Sequence, residues 1–229
     1  MRKAAARPAA RRFPGDSACT LAVSATVAFG LLIWAVRLAP WSRLAVAGRL
    51  NIWLGCIVVL TLLWSMKAGV QPGLSLHLVG ATMMTLMFGP ALAVVGLAAV
   101  LAAVTLNGGG DWAAIGLTTL ISIAVPVGVA YAVHRAVTRF LPANFFIYVF
   151  VGAFFGAAVS VVAAGLASSA LFSLADAYPS SHLLSEYLLF FVLLGFAEAW
   201  LNGAAITLMV VYAPHWVSSF DDKVYLAGK

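Results

Sequence analysis

Charge is what this chain has least of. Only 9% of its 229 residues are Asp, Glu, Lys or Arg, and 64% are hydrophobic. A soluble domain carries about 25% charged and about 45–50% apolar residues, so the composition excludes an ordinary water-soluble fold. Cysteine is scarce too. Cys19 and Cys56 are the two present, both in or beside apolar stretches. With no CxxC and no Cys/His cluster, neither a disulfide framework nor a zinc ribbon is supported. The chain has no Walker motif, so it does not hydrolyse ATP by itself. It has no HExxH and no GxSxG with a triad, which leaves no protease or hydrolase signature. No regular run of arginine suggests a voltage sensor. The chain does not read as an enzyme.

What is present is apolar length. The mean hydropathy is +1.05, and apolar runs reach about 20 residues, the length a helix needs to cross roughly 30 Å of hydrocarbon. They lack the strict alternation of a membrane barrel. The expected fold is an all-α integral membrane protein, a bundle of about seven transmembrane helices. Spans are expected over 18–36, 50–66, 74–88, 91–106, 113–133, 145–173 and 187–212. The third and fourth are short and meet at Gly89 and Pro90, where glycine permits a turn and proline ends a helix. An alternative is six spans plus a re-entrant segment around that pair. Residues 18–213 then form one polytopic transmembrane domain. Residues 1–17 are a basic tail expected to be disordered, and 214–229 are a short C-terminal tail.

The net charge of +6 does not point to nucleic acid. Much of it is Arg2, Lys3, Arg7, Arg11 and Arg12 against Asp16, a tail suited to anionic lipid headgroups. The first apolar run is long enough to span and reads as an uncleaved anchor. Basic loop residues set orientation. Arg37, Arg43 and Arg49, then His134, Arg135 and Arg139, and then the C-terminal tail mark one face as cytoplasmic. Lys67, Asp111, Asp176 and Glu186 mark the other. The N-terminus then lies outside, against the charge of its own tail. The protein is expected to be multi-pass in the inner (plasma) membrane.

His77 is the residue that most needs an explanation. It stands near the start of the third expected span, and imidazole is the commonest protein ligand for a transition metal. A neutral imidazole in lipid needs a hydrogen-bond partner; the plain alternative is a packing histidine bonded to Ser75 or to a backbone carbonyl. Met84 and Met87 recur below it at helical spacing. Thioethers suit Cu(I), although Met is also a common gap-filler in cores. His77, Asn107, Asp111, Asp176, His182 and Glu186 all fall on the outer side, a polar set that either attracts a cation or solvates loops.

Glu198 is the second anomaly, near the middle of the last span. A carboxylate there costs roughly 2.5–3.5 kcal/mol on insertion scales and must face the bundle interior. Asn202 follows one turn later on the same face, as a hydrogen-bond partner. Glu198 is open to three roles: a structural clamp, a proton relay or a cation site. As a clamp it should tolerate Gln and not Leu. Helical rise puts it more than about 10 Å deeper than His77, which argues against one shared ion. Gly152 and Gly156 form a small-xxx-small pair that permits close helix packing.

The run from His77 through Gly80 to Phe88, Gly89 and Pro90 resembles the His-x-x-Gly … Phe-Gly-Pro signature of the CbiM-like permeases. Asn107, Gly108 and Gly109, followed by Gly116, Leu117 and Thr118, are similar to that family's His-Gly-Gly … Gly-Ala-Asn region. Ala197 to Gly203 resembles its last span. The likeness covers roughly residues 50–215. These permeases are the substrate-binding components of energy-coupling-factor ABC transporters for cobalt and nickel. The resemblance implies capture of Co²⁺ or Ni²⁺ as substrate, with no permanently bound cofactor. It also implies a coupling transmembrane subunit and cytoplasmic ATPases as partners. It implies a metal site near the outer face, built from the N-terminal amine, a histidine after the initiator Met, and an imidazole matching His77. The chain begins Met1, Arg2, Lys3, so only His77 carries over, and Asn107 and Thr118 stand where the family has His and Asn. Asn107, Asp111 and His182 are the candidates to complete the shell. Two other readings remain open: capture of a small organic solute such as a vitamin, and a non-transporting membrane assembly protein.

Overall fold

The computed structural model describes residues 18–46, 48–66, 68–71, 74–76, 78–174 and 188–225. Helix α1 (Ala18–Leu38) is followed by a single turn, α2 (Trp41–Leu44), and by α3 (Arg49–Ser65). A short antiparallel hairpin comes next, β1 (Ala68–Gln71) with β2 (Leu74–Leu76), in the register Ala68 to Leu76. The chain continues as α4 (Ala81–Phe88), α5 (Pro90–Leu106) and α6 (Ile115–Thr119). A π-helical stretch over Leu120–Ala124 leads from α6 into α7 (Val125–Phe140), and a second over Ile147–Phe155 leads into α8 (Gly156–Leu174). The last long helix is α9 (Leu188–Tyr212), followed by a 3₁₀ turn (Pro214–Trp216) and by α10 (Asp222–Tyr225).

The helical bundle agrees with the composition. Four continuous helices have membrane-spanning length, at Thr20–Leu38, Ile115–Phe140, Ile147–Ser173 and Leu188–Tyr212; α3 and α5 are shorter apolar helices. The first π-helical stretch sits just before Pro126, whose ring excludes the carbonyl four residues earlier and which donates no N–H; widening the turn relieves that conflict.

The expected span at 74–88 needs correcting. Residues 74–76 pair in the hairpin, and helix occupies only Ala81–Phe88. Gly80 ends the extended stretch with φ of 66°, a left-handed value that does not continue a right-handed helix. Eight residues are about 12 Å long at the α-helical rise, less than half of the hydrocarbon thickness. Gly89, with φ of 86°, then turns the chain into α5, which starts on Pro90 as helices favour. A Cβ on Gly96 would meet Met84, so α5 runs back alongside α4. Residues 74–88 are therefore not one continuous spanning helix, and α4 is a short segment that turns back at Gly89.

Helix α4 is the centre of the molecule. Seven of its eight residues are buried: Ala81, Thr82, Met84, Thr85, Leu86, Met87 and Phe88. A helix apolar on every side belongs in a core. Met84 fills the space left by Gly96, and both Met84 and Met87 are at most 1% exposed. They serve as packing, in a core that also holds Leu60, Leu97, Ile123 and Ile206.

Candidate functional site

The first N–H groups of a helix have no partner within it. Helix α4 begins at Gly80 with no side-chain cap of its own, and its outer end lies deep in the bundle. Helix α9 supplies what is missing. Glu198 Oε1 accepts from the Val79 N–H, and both carboxylate oxygens accept from the Gly80 N–H at 3.2 Å. Asn202 Oδ1 accepts from the Met83 N–H at 2.8 Å. Its Nδ2 donates to Glu198 Oε2 at 2.6 Å and to the Glu198 carbonyl at 2.8 Å. Glu198 and Asn202 are each 1% exposed. The two side chains together act as an N-cap delivered from another helix. The positive end of the α4 dipole favours an anion at that place.

Residues 79 and 80 are held from α3 as well. Trp64 Nε1 donates to the Val79 carbonyl at 3.2 Å. A Cβ on Gly80 would come within 2.5 Å of Leu60 Cδ2, so glycine is required there by space as well as by φ. Two elements, α3 and α9, therefore fix the main chain two residues after His77 in the sequence. The expectation that Glu198 lies more than about 10 Å deeper than His77 falls on a residue outside the described ones; Glu198 bonds directly to Val79 and Gly80, which precede helix α4.

Among the sequence-predicted residues, His77 and His182 lie outside the described residues, as do Asp176 and Glu186. Asn107 is exposed at the C-terminal end of α5. Asp111 is exposed, and its Oδ1 accepts from the Ala113 N–H at 2.9 Å in a local turn. Among the described residues no group of three His, Cys, Asp or Glu side chains is placed to hold a metal. Each group facing the two Glu198 oxygens is an N–H donor, so the side chain serves here as a hydrogen-bond acceptor. Trp64 was not singled out in the sequence; a tryptophan bonding a carbonyl 15 residues on has no local signature.

The opposite end of α4 is capped from outside as well. Its last carbonyls lack intrahelical donors. Met87 O accepts from the Ser218 N–H at 3.0 Å, and Leu86 O from the Ser219 N–H at 3.2 Å. Ser219 Oγ donates to Leu86 O at 2.8 Å and lies 2.7 Å from Tyr148 Oη.

Helices of membrane-spanning length wrapped around a short helix with both ends pinned make a multi-pass membrane bundle. The chain belongs to the CbiM family: the family model described as the cobalt uptake substrate-specific transmembrane region matches residues 17–216. It is thereby a membrane component of metal uptake. Two crystal structures share its fold. A truncated transition metal transporter covers 86% of this chain over 95% of its own, at 18% identity and a TM-score of 0.70. A transition metal transporter covers 84% over 88%, at 19% identity and a TM-score of 0.71. No curated protein sequence matches the chain.

Proposed function

We propose that this protein captures a transition-metal cation, Co²⁺ or Ni²⁺ first, at the outer face of the membrane, with His77 as a ligand. A coupling transmembrane subunit and cytoplasmic ATPases energise its uptake. Family membership over residues 17–216 supports the class of substrate. The observation that carries the reading further is the clamp. A buried carboxylate and a buried amide, costly to place in a bilayer, both serve to fix residues 79–83, directly after His77. Fixing the main chain next to a ligand orients the ligand, the usual task of outer-shell groups around a metal. Asn107, Asp111, His182 and water are the candidates to complete the shell.

The test is titration of the purified protein with Co²⁺, following the visible absorption of the bound ion. Binding is expected in the wild type, lost in His77→Ala, and weaker below about pH 6, since a protonated imidazole has no lone pair for the metal. No binding at millimolar metal, or equal binding in His77→Ala, would sink the reading. Capture of an organic solute or a non-transporting role would then take its place.

A further inference from the structure

We propose that Tyr148, Ser218 and Ser219 are positioning residues for the capture site, acting on it through α4 from the far side of the bundle. The inference rests on reading residues 77–80 as the ligand-holding stretch.

The C-terminal segment does not trail away from the bundle. After α9 ends at Tyr212 it folds back into the mouth of the bundle, where Val217 and Phe220 are 1% and 8% exposed. The Tyr148 ring, fully buried, packs against Phe220 and Tyr225 at 5.0 Å between centroids. From this seat Ser218 and Ser219 make the three bonds to the last carbonyls of α4, and Tyr148 holds the Ser219 hydroxyl in line. Helix α4 is thus gripped at one end by Glu198 and Asn202 and at the other by the C-terminal segment.

The element between the two grips is suited to carrying a displacement. It is one short helix, closed by the Met84 N–H to Gly80 O and Gly89 N–H to Thr85 O bonds. It is packed on nearly all sides, and close-packed interiors are stiff and transmit strain. Positive-φ glycines flank it at positions 80 and 89, so the chain at either end can change direction while the helix keeps its form. A shift of Ser218 and Ser219 at one face therefore moves Gly80 and Val79 at the other. The segment Ala213–Tyr225 is a handle through which events at that face tighten or loosen the grip next to His77.

Amide hydrogen exchange on the purified, detergent-solubilised full chain tests this without any metal. In Ser219→Ala, exchange of the Val79, Gly80 and Met83 amides should rise by on the order of three- to ten-fold, the size expected from one lost neutral hydrogen bond. Amides in the middle of α3 and α9 should not change, and Ser219→Thr, which keeps the hydroxyl, should restore the wild-type rate. Tyr148→Phe should act in the same direction, and it decides the matter if Ser219→Ala does not fold. Unchanged exchange at residues 79–83, or an equal rise in every helix, would overturn the proposal. Co²⁺ affinity of Ser219→Ala is then measured against the wild type. If the wild type binds no Co²⁺, the metal reading fails while the exchange result still judges the relay.

Discussion

At the scale of single residues, Glu198 shows how far a side chain is legible. Its depth, its burial and its bond to Asn202 one turn on follow from spacing and from the cost of a carboxylate in lipid. Its other partners do not follow. They are backbone N–H groups of residues 118 and 119 positions away in the chain, and a main-chain donor carries no side-chain signature. Those partners reverse one expectation. Gln at 198 keeps one acceptor and turns an NH₂ toward the Asn202 amide or the Gly80 N–H, donor against donor. Asn202 cannot flip in response without losing the Met83 N–H. Glu198→Gln should therefore cost about 1–3 kcal/mol, the penalty of an unsatisfied buried group. Glu198→Leu should cost more, since three N–H groups then lose an acceptor. Thermal unfolding in detergent checks both. A Gln variant as stable as the wild type, or a Leu variant more stable, would show that Glu198 is not the cap of α4.

At the scale of elements, hydrophobic runs located the long helices within about two residues, except that the span expected over 113–133 runs on to Phe140, and they missed the break at Gly80. Residues 74–88 are apolar enough to read as one span, and apolar content alone does not separate a hairpin strand from a helix end. Within the chain, Gly152 and Gly156 are not where the helices approach most closely. A Cβ on Gly152 would have nothing within 4 Å, and one on Gly156 would make only ordinary contacts from 3.4 Å outward. The tight approaches use other glycines. A Cβ on Gly116 of α6 would lie 2.6 Å from Ala25 Cα and N of α1. A Cβ on Gly203 of α9 would lie 3.0 Å from the Phe154 ring. Backbone cannot move aside as a side-chain tip can, so Gly116→Ala should force α1 outward and cost about 1–3 kcal/mol as overpacking. Gly152→Ala enters open space and should be neutral or stabilising by up to about 1 kcal/mol, through helix propensity. Paired melting curves in one detergent decide it, and a Gly152→Ala variant less stable than Gly116→Ala contradicts the assignment.

At the scale of the whole molecule, the faces of the bundle must agree with the direction of uptake. The Arg49 guanidinium donates to the His215 carbonyl at 2.6 Å, which puts the start of α3 and the segment after α9 on one face. Following the chain from there, α3 leads to the hairpin, the α4–α5 pair turns back at Gly89, and the helix over Ile115–Phe140 returns to the face of Arg49. Arg43, Arg135 and Arg139 then share that face with the C-terminal segment, and Asp111 lies on the other. Basic residues collect on the cytoplasmic side, so the α4 end held by Glu198 points outward and the end held by Ser219 points inward. On the reading proposed above, capture takes place at the outward end, and the C-terminal segment faces the compartment that holds ATP. In a background with Cys19 and Cys56 replaced by alanine, a membrane-impermeant maleimide applied to intact cells should label Asp111→Cys. It should label Arg43→Cys and Arg135→Cys only after the cells are opened. Labelling of positions 43 and 135 in intact cells, with none at 111, would invert the molecule and place the His77 stretch inside, where it could not serve capture from the exterior.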